Sequence, residues 1–327
     1  MSDKLKQQAE ENKILEIRSG SHLYGTNTPE SDEDFVGIFM PPEEYVYGLK
    51  SVKEVEFDIK DKNKDGKNTA DAIDRKLYEF RKFISLAQGN NPNIIEILFV
   101  DLDNTLFVND YGIELLKHKH LFPSKLAAKK FVGYAHSQKH KMIIRRDHFN
   151  ELRQGYKVLK DCRDKAVMAE VYNMGIEIED PENASPDLLF FKKSTGMHIH
   201  CGDICFEPGV YVKKARKMLK ERLDKATNRS ELVLKHGYDT KFASHLIRLL
   251  TEGISLLKDG ELTFPLYNVE EILDIKKGKW TIEEIIQRAD DLEAQLNNVL
   301  VDSTLPATPY FKDIEKLTID MVKLHLH

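Results

Sequence analysis

The chain of 327 residues has only three cysteines. That is too few for a disulfide framework, and the scarcity points to a reducing compartment. A strong excess of one charge is missing too. The formal net charge is -5, so no global field draws the protein to nucleic acid or membrane, and any polyanion site must be a local patch. No apolar run reaches the roughly eighteen residues that a membrane-spanning helix needs. The opening "MSDKLKQQAEENKILEI" lacks the apolar centre of a signal peptide. A cytoplasmic protein with no membrane partner is expected. No internal repeat is visible, which speaks against a repeat architecture. What remains is an ordinary soluble balance, 41% apolar and 31% charged, in a chain long enough for two domains or one large one.

Periodicity changes along the chain. Residues 5–18 read as a polar helix leading into a strand, and Gly20 and Ser21 break it. "FVGIFM" (35–40) and "SVKEVEFDI" (51–59) read as strands. "AIDRKLYEF" reads as a third strand running into the helix "EFRKFISLAQ", and "NNPN" caps the helix or strand "IIEILFV". From about residue 111 the pattern is helical, as in "SKLAAKKFVGYAHSQKHKMII", "VYVKKARKMLKERLDKA", "KFASHLIRLLTEGISLL" and "TIEEIIQRADDLEAQLNNVL". The expected fold is α/β, a mixed sheet with helices over residues 1–110, followed by a mainly α-helical domain over 111–327. Turn signals near 105–122 mark the boundary, and the active site is expected between the two.

The stretch with the most chemistry is "GSHLYGTNTPESDEDFVG", residues 20–37. On a strand, residues two apart point to the same side, so Asp32 and Asp34 can share divalent cations. Such hard oxygen ligands suit magnesium, which completes its octahedron with water and substrate phosphates. Ahead of them Gly20 lets backbone approach a ligand, and Ser21 offers a hydroxyl to a phosphate oxygen. The plainer reading, a solvated loop rich in Ser, Asp and Asn, would suit a lone Gly-Ser and Asp-x-Asp.

The extended pattern resembles the DNA polymerase beta-type nucleotidyltransferase superfamily: Gly-Ser, a spacer of about ten residues (His22 to Ser31 here) and Asp-x-Asp. It is most similar to a bacterial and phage branch whose motif runs GS-x-x-YGT and then SD-x-D. "KFISLAQGNNPNIIEILF" (82–99), "FVGYAHSQKHKM" (131–142) and "KHGYDTKFASHLIRLLTEG" (235–253) are similar to that branch as well, whereas 150–230 is not. The resemblance implies a third carboxylate before the "EFRKF" helix, Asp74, with Asp71 competing. It implies two magnesium ions held by Asp32, Asp34 and Asp74, with Asp74 as candidate proton acceptor. Gly20 and Ser21 would hold the β- and γ-phosphates of an NTP, ATP by family habit. Glu33 departs from the branch, where an apolar residue is usual.

In "KFASHLIRLLTEG", Lys241, His245, Arg248 and Glu252 form one stripe opposite Phe242, Leu246, Leu249 and Leu250. A wet face of an amphipathic helix is the plain account. Its place in a family-like segment makes Lys241, His245 and Arg248 candidates for binding nucleotide or acceptor phosphate, with the apolar stripe alone anchoring the helix. Lys129 to Arg146 holds eight Lys, Arg or His residues, a guide for a nucleic-acid backbone or a solvated face.

Three other motifs compete. "FVDLDNTLF" (99–107) is like the first motif of haloacid dehalogenase-type phosphatases, with Asp101 and Asp103, but it follows a complete nucleotidyltransferase pattern. "DKNKDGKNTADA" (61–72) imitates a calcium loop but has Ala72 where a bidentate Glu belongs. "MHIHCGDIC" (197–205) gathers His198, His200, Cys201, Asp203 and Cys205 without zinc-type pairing. The expected function is transfer of an NMP from an NTP to an acceptor hydroxyl with release of pyrophosphate. The acceptor is open between an RNA end, a protein side chain and a small molecule. The alternative is a nucleotide- or RNA-binding protein of the same fold without turnover.

Overall fold

The computed structural model describes residues 3–29, 31–57, 73–101, 103–176, 191–193, 198–224, 232–233 and 235–327. Asp71 and the calcium-like loop fall outside them. Packing forms two compact units: Met1–Gln138 with Ala243–His327, and Lys139–Phe242. The sequence division at 110/111 separates mixed from helical chain and lies within the first unit.

The first unit opens with helix α1, Asp3–Glu11, whose Leu5 and Ala9 lie one turn apart and pack with Phe39, Val55 and Leu77. Strand β1, Lys13–Ser19, buries Ile14, Leu15 and Ile17. A four-residue helix, α2, Gly20–Leu23, follows at once. Strand β2, Glu33–Phe39, is half-buried at its start and buried at its end. Helix α3, Glu43–Val46, and strand β3, Glu54–Glu56, precede strand β4, Ile73–Glu79. Helix α4, Phe80–Gln88, follows without a loop. Its Phe80, Phe83, Ile84 and Ala87 recur at helical spacing and are all buried. "IIEILFV" is helical: α5, Pro92–Ile95, has Pro92 in its first turn and Asn91 as N-cap, and a 3-10 turn covers Glu96–Phe99. Strand β5, Thr105–Val108, and helix α6, Asp110–Lys117, complete the mixed part.

The sheet order is β3-β4-β2-β1-β5. β1 runs antiparallel to β2 and β5, and β3 antiparallel to β4. β2 and β4 are parallel, with Asp34 opposite Asp74 and Phe39 opposite Glu79. A parallel pair needs a crossover, and it sets the starts of β2 and β4 side by side. The site is built at that end of the sheet.

Helix α7, Leu126–Asp161, runs from the first unit into the second. The second unit adds helix α8, Met168–Ile176, strands β6, Lys192–Lys193, β7, Ile199–Cys201, and β8, Ile204–Phe206, and helix α9, Val212–Asp224. Leu152, Leu159, Met168, Phe191, Ile199, Phe206 and Leu219 share its core. The stretch 150–230 lies inside it. Helix α10, Thr240–Asp259, leads back to the first unit, which ends with α11, Val269–Lys276, α12, Ile282–Asp302, and α13, Phe311–Leu326. No helix among the described residues is long and apolar enough to cross a membrane.

Candidate active site

β1 delivers the Gly-Ser turn to the carboxylates. Ser19, the last residue of β1, is the register partner of Asp34 on β2. Asp34 is in turn opposite Asp74 on β4. Asp34 therefore sits in the middle of a row, Ser19–Asp34–Asp74, spanning three adjacent strands. Gly20 begins α2 with φ +63°, and a Cβ built on it would lie 2.0 Å from Asp34 Oδ2. Only glycine supplies that backbone conformation cheaply and leaves room for the carboxylate. Asp32 stands just before β2, two residues from Asp34. Asp32 and Asp34 are half-buried and Asp74 is exposed, so this end of the sheet is open to solvent and dissolved ions. Glu33 pairs instead with Arg18, at 3.6 Å.

Among the described residues, no three His, Cys, Asp or Glu side chains converge closely enough to hold a metal. What the backbone supplies is two carboxylates on neighbouring parallel strands and a third two residues away. Those are hard oxygen donors at an open end of the sheet, a set that fits a cation keeping water and phosphate oxygens among its ligands.

The rest of the motif anchors the turn, a role that periodicity did not reveal. Tyr24 N donates to Gly20 O at 3.2 Å, and Thr26 N to Ser21 O at 2.8 Å. Gly25 has φ +73°, and a Cβ there would come within 2.7 Å of Pro265 Cβ. Leu266 N reaches Tyr24 O at 3.4 Å. Lys276, at the end of α11, donates to Thr26 O at 2.9 Å. Tyr24 Oη donates to the carboxylate of Glu96, 3.0 and 2.9 Å from its two oxygens. The readable signals were Tyr24-Gly25-Thr26 inside the motif and Glu96 as a lone acid in "IIEILF". His22 Nε2 and Arg18 Nε are buried without a hydrogen-bond partner among the described residues.

The stripe on α10 divides. Lys241 and His245 are exposed, but Arg248 and Glu252 are buried. Arg248 Nη1 donates to Glu252 at 3.0 Å and to Glu96 at 3.3 Å, Nη2 donates to Asn93 Oδ1 at 3.3 Å, and the guanidinium lies 4.3 Å from the Tyr24 ring centroid. This corrects the expectation of a continuous wet face free of packing duties. From Leu246 to Ile254 this helix is buried all round, and carboxylates already neutralise Arg248. Lys241 belongs to the second unit, where Asp239 accepts from the Lys241 and Phe242 amides and pairs with Arg145.

The competing motifs have local roles. Asp101 Oδ1 accepts from Asn104 N and Nδ2 at 3.1 and 3.0 Å, closing a turn before β5. The apolar run before Asp101 is the 3-10 turn Glu96–Phe99, not the inner parallel strand that the phosphatase motif needs. In the second unit His198 pairs with Glu207 and Asp203 with Arg222, while His200 Nε2 lies 3.8 Å from Cys205 Sγ.

Residues 1–161 match the model of a family described as the RNA repair pathway DNA polymerase beta family. An uncharacterised 38.9 kDa protein from the nrdC–mobD intergenic region of Enterobacteria phage T4 is 27% identical over 309 residues, which cover 86% of this chain and 88% of the phage protein. A crystal structure of a nucleotidyltransferase-like protein from Exiguobacterium sibiricum aligns with 92% of this chain and 72% of its own, at 10% identity and a TM-score of 0.25. At that TM-score the likeness carries no argument.

Proposed function

We propose that this chain, whose residues 1–161 belong to the DNA polymerase beta-type superfamily with its general nucleotidyl-transfer function, moves an NMP from an NTP to an acceptor hydroxyl and releases pyrophosphate. The observation that carries the reading is the row Ser19–Asp34–Asp74 with Gly20 against the Asp34 carboxylate. The Gly20–Ser21 backbone and the Ser21 hydroxyl receive the β- and γ-phosphates. Asp32, Asp34 and Asp74 would hold two magnesium ions. Bound there, magnesium supplies Lewis-acid stabilisation of charge on the transferring phosphate and the leaving pyrophosphate. Asp74 would take the proton from the acceptor hydroxyl. ATP is the nucleotide proposed first. His245, exposed in the first unit, remains a proposed phosphate contact. Arg248 is withdrawn from that role because its charge is already engaged.

An RNA 3′ hydroxyl is the acceptor we propose, because the matching family is described by an RNA repair pathway. The test is incubation of the full chain with magnesium, each of the four α-labelled NTPs, and separate pools of RNA, DNA and protein. Label on RNA with release of pyrophosphate is the expected result. Label on protein or on a small molecule redirects the acceptor. Nucleotide bound without any transfer supports the binding-only reading instead.

A further inference from the structure

The transfer chemistry leaves a buried charge network in the first unit unused. Arg248, Glu252 and Glu96 are each 5% exposed or less. One guanidinium thus faces two carboxylates away from water. Burial pushes Glu252 up to about 8 and raises Glu96 in the same direction, with Arg248 opposing the shift in both. Burial thus favours the protonated form in this pair. The groups facing Glu252 are Arg248 on its own helix, Glu96 from the 3-10 turn and Tyr24 from the end of α2. Asn93 faces Arg248 from α5.

Tyr24 joins this network to the nucleotide turn. Its ring lies on Arg248, its hydroxyl is held by Glu96, and its amide bonds back to Gly20. Tyr24 N bonds to Gly20 O and Thr26 N to Ser21 O, which ties Tyr24 to the residues proposed to receive phosphate. Apolar packing would stabilise this spot as well as an ion pair does. What the polar network adds is direction, since hydrogen bonds fix angle as well as distance.

We infer that Tyr24, Glu96, Arg248 and Glu252 are positioning residues for the nucleotide, fixing through Tyr24 the Gly20–Thr26 turn that receives its phosphates. This rests on the nucleotidyl-transfer reading of the site. It has a consequence that mere structural support lacks. Deprotonation of the Glu96–Glu252 pair at alkaline pH leaves two buried negative charges against the one Arg248 guanidinium, and their repulsion loosens the network that holds Tyr24. Nucleotide affinity therefore falls as pH rises past about 8, and Glu252→Gln, which cannot ionise, removes that fall.

The experiment is calorimetric titration of the full chain with magnesium and non-hydrolysable analogues of the four NTPs, at pH 7 and pH 9. Wild type, Tyr24→Phe and Glu252→Gln are compared, each checked for folding by circular dichroism. A loosened turn predicts about tenfold weaker binding by Tyr24→Phe at pH 7, together with some loss of stability because buried Glu96 loses a donor. Wild type should lose affinity between pH 7 and pH 9, and Glu252→Gln should not. Equal affinity in Tyr24→Phe, or a fall with pH that survives in Glu252→Gln, overturns the positioning role while wild-type binding keeps the nucleotide reading. A wild type that binds none of the four analogues overturns both, so the wild-type titration tells the two failures apart.

Discussion

Asp34 stands directly opposite Asp74 across the parallel pair β2/β4, with Gly20 pressed against the Asp34 carboxylate from the β1 side. Neighbouring strands lie about 4.8 Å apart, and the proposed mechanism has the two carboxylates share a cation. Asp34→Asn should lower transfer about a thousandfold or more, because it removes a charged ligand at nearly constant volume. Asp32→Asn should behave likewise. The same assay on Asp101→Asn, which alters only a surface turn, should read near wild type. A folded Asp34→Asn protein with normal rate would remove the carboxylate row from the mechanism.

Gly20→Ala tests the contact from the other side. The added methyl meets Asp34 Oδ2 at 2.0 Å in a backbone conformation with φ +63°. The left-handed conformation alone costs about 1–2 kcal/mol, and the clash must also push the carboxylate aside. Urea unfolding should show a loss of at least that size. Transfer should fall well below what the stability loss explains. Normal activity in Gly20→Ala would mean that Asp34 works from another position.

Arg248→Ala should be strongly destabilising, by about 3–5 kcal/mol, because it strands two buried carboxylates without their counter-charge. Lys241→Ala, at an exposed position, should stay within about 0.5 kcal/mol of wild type. Urea denaturation of the two variants makes the comparison. Similar stability in both would restore the wet stripe inferred from spacing.

That stripe shows where sequence reasoning stops. Lys241, His245, Arg248 and Glu252 recur at helical spacing, and a helical wheel cannot tell a solvated charge from one met by an acid 152 positions away, as Arg248 is by Glu96. Four strands of the mixed sheet were legible because they carry local apolar patterns, β5 was not, and the helix after β4 was legible because Phe80, Phe83, Ile84 and Ala87 keep a strict period. The Gly20 turn was legible because its residue types are demanded locally. The compact units were not. The chain leaves the first at residue 138 and rejoins it at 243, and the continuous helices α7 and α10 carry it across without any Gly or Pro signal at the crossing.

The buried acids predict the sign of a pH effect. Glu252 is raised to about 8 and Glu96 is raised too, so the folded state keeps a proton that the unfolded chain releases from about pH 4.3 upward. Stability from this network is complete below the unfolded value and is lost as pH rises through the folded one. Denaturant unfolding at pH 5 and pH 8.5 should show a larger fall for wild type than for Glu252→Gln. An identical fall in both would remove Glu252 as its source.

The central claim is tested most directly by a crystal structure of the full chain with manganese, as a stand-in for magnesium, and a non-hydrolysable ATP analogue. Anomalous scattering should place metal against Asp32, Asp34 and Asp74, with the terminal phosphates on the Gly20–Ser21 turn. Metal held by Asp71 with Asp74 turned to solvent would contradict the choice of third carboxylate. Nucleotide and metal bound away from the Asp34–Asp74 pair would contradict the account as a whole.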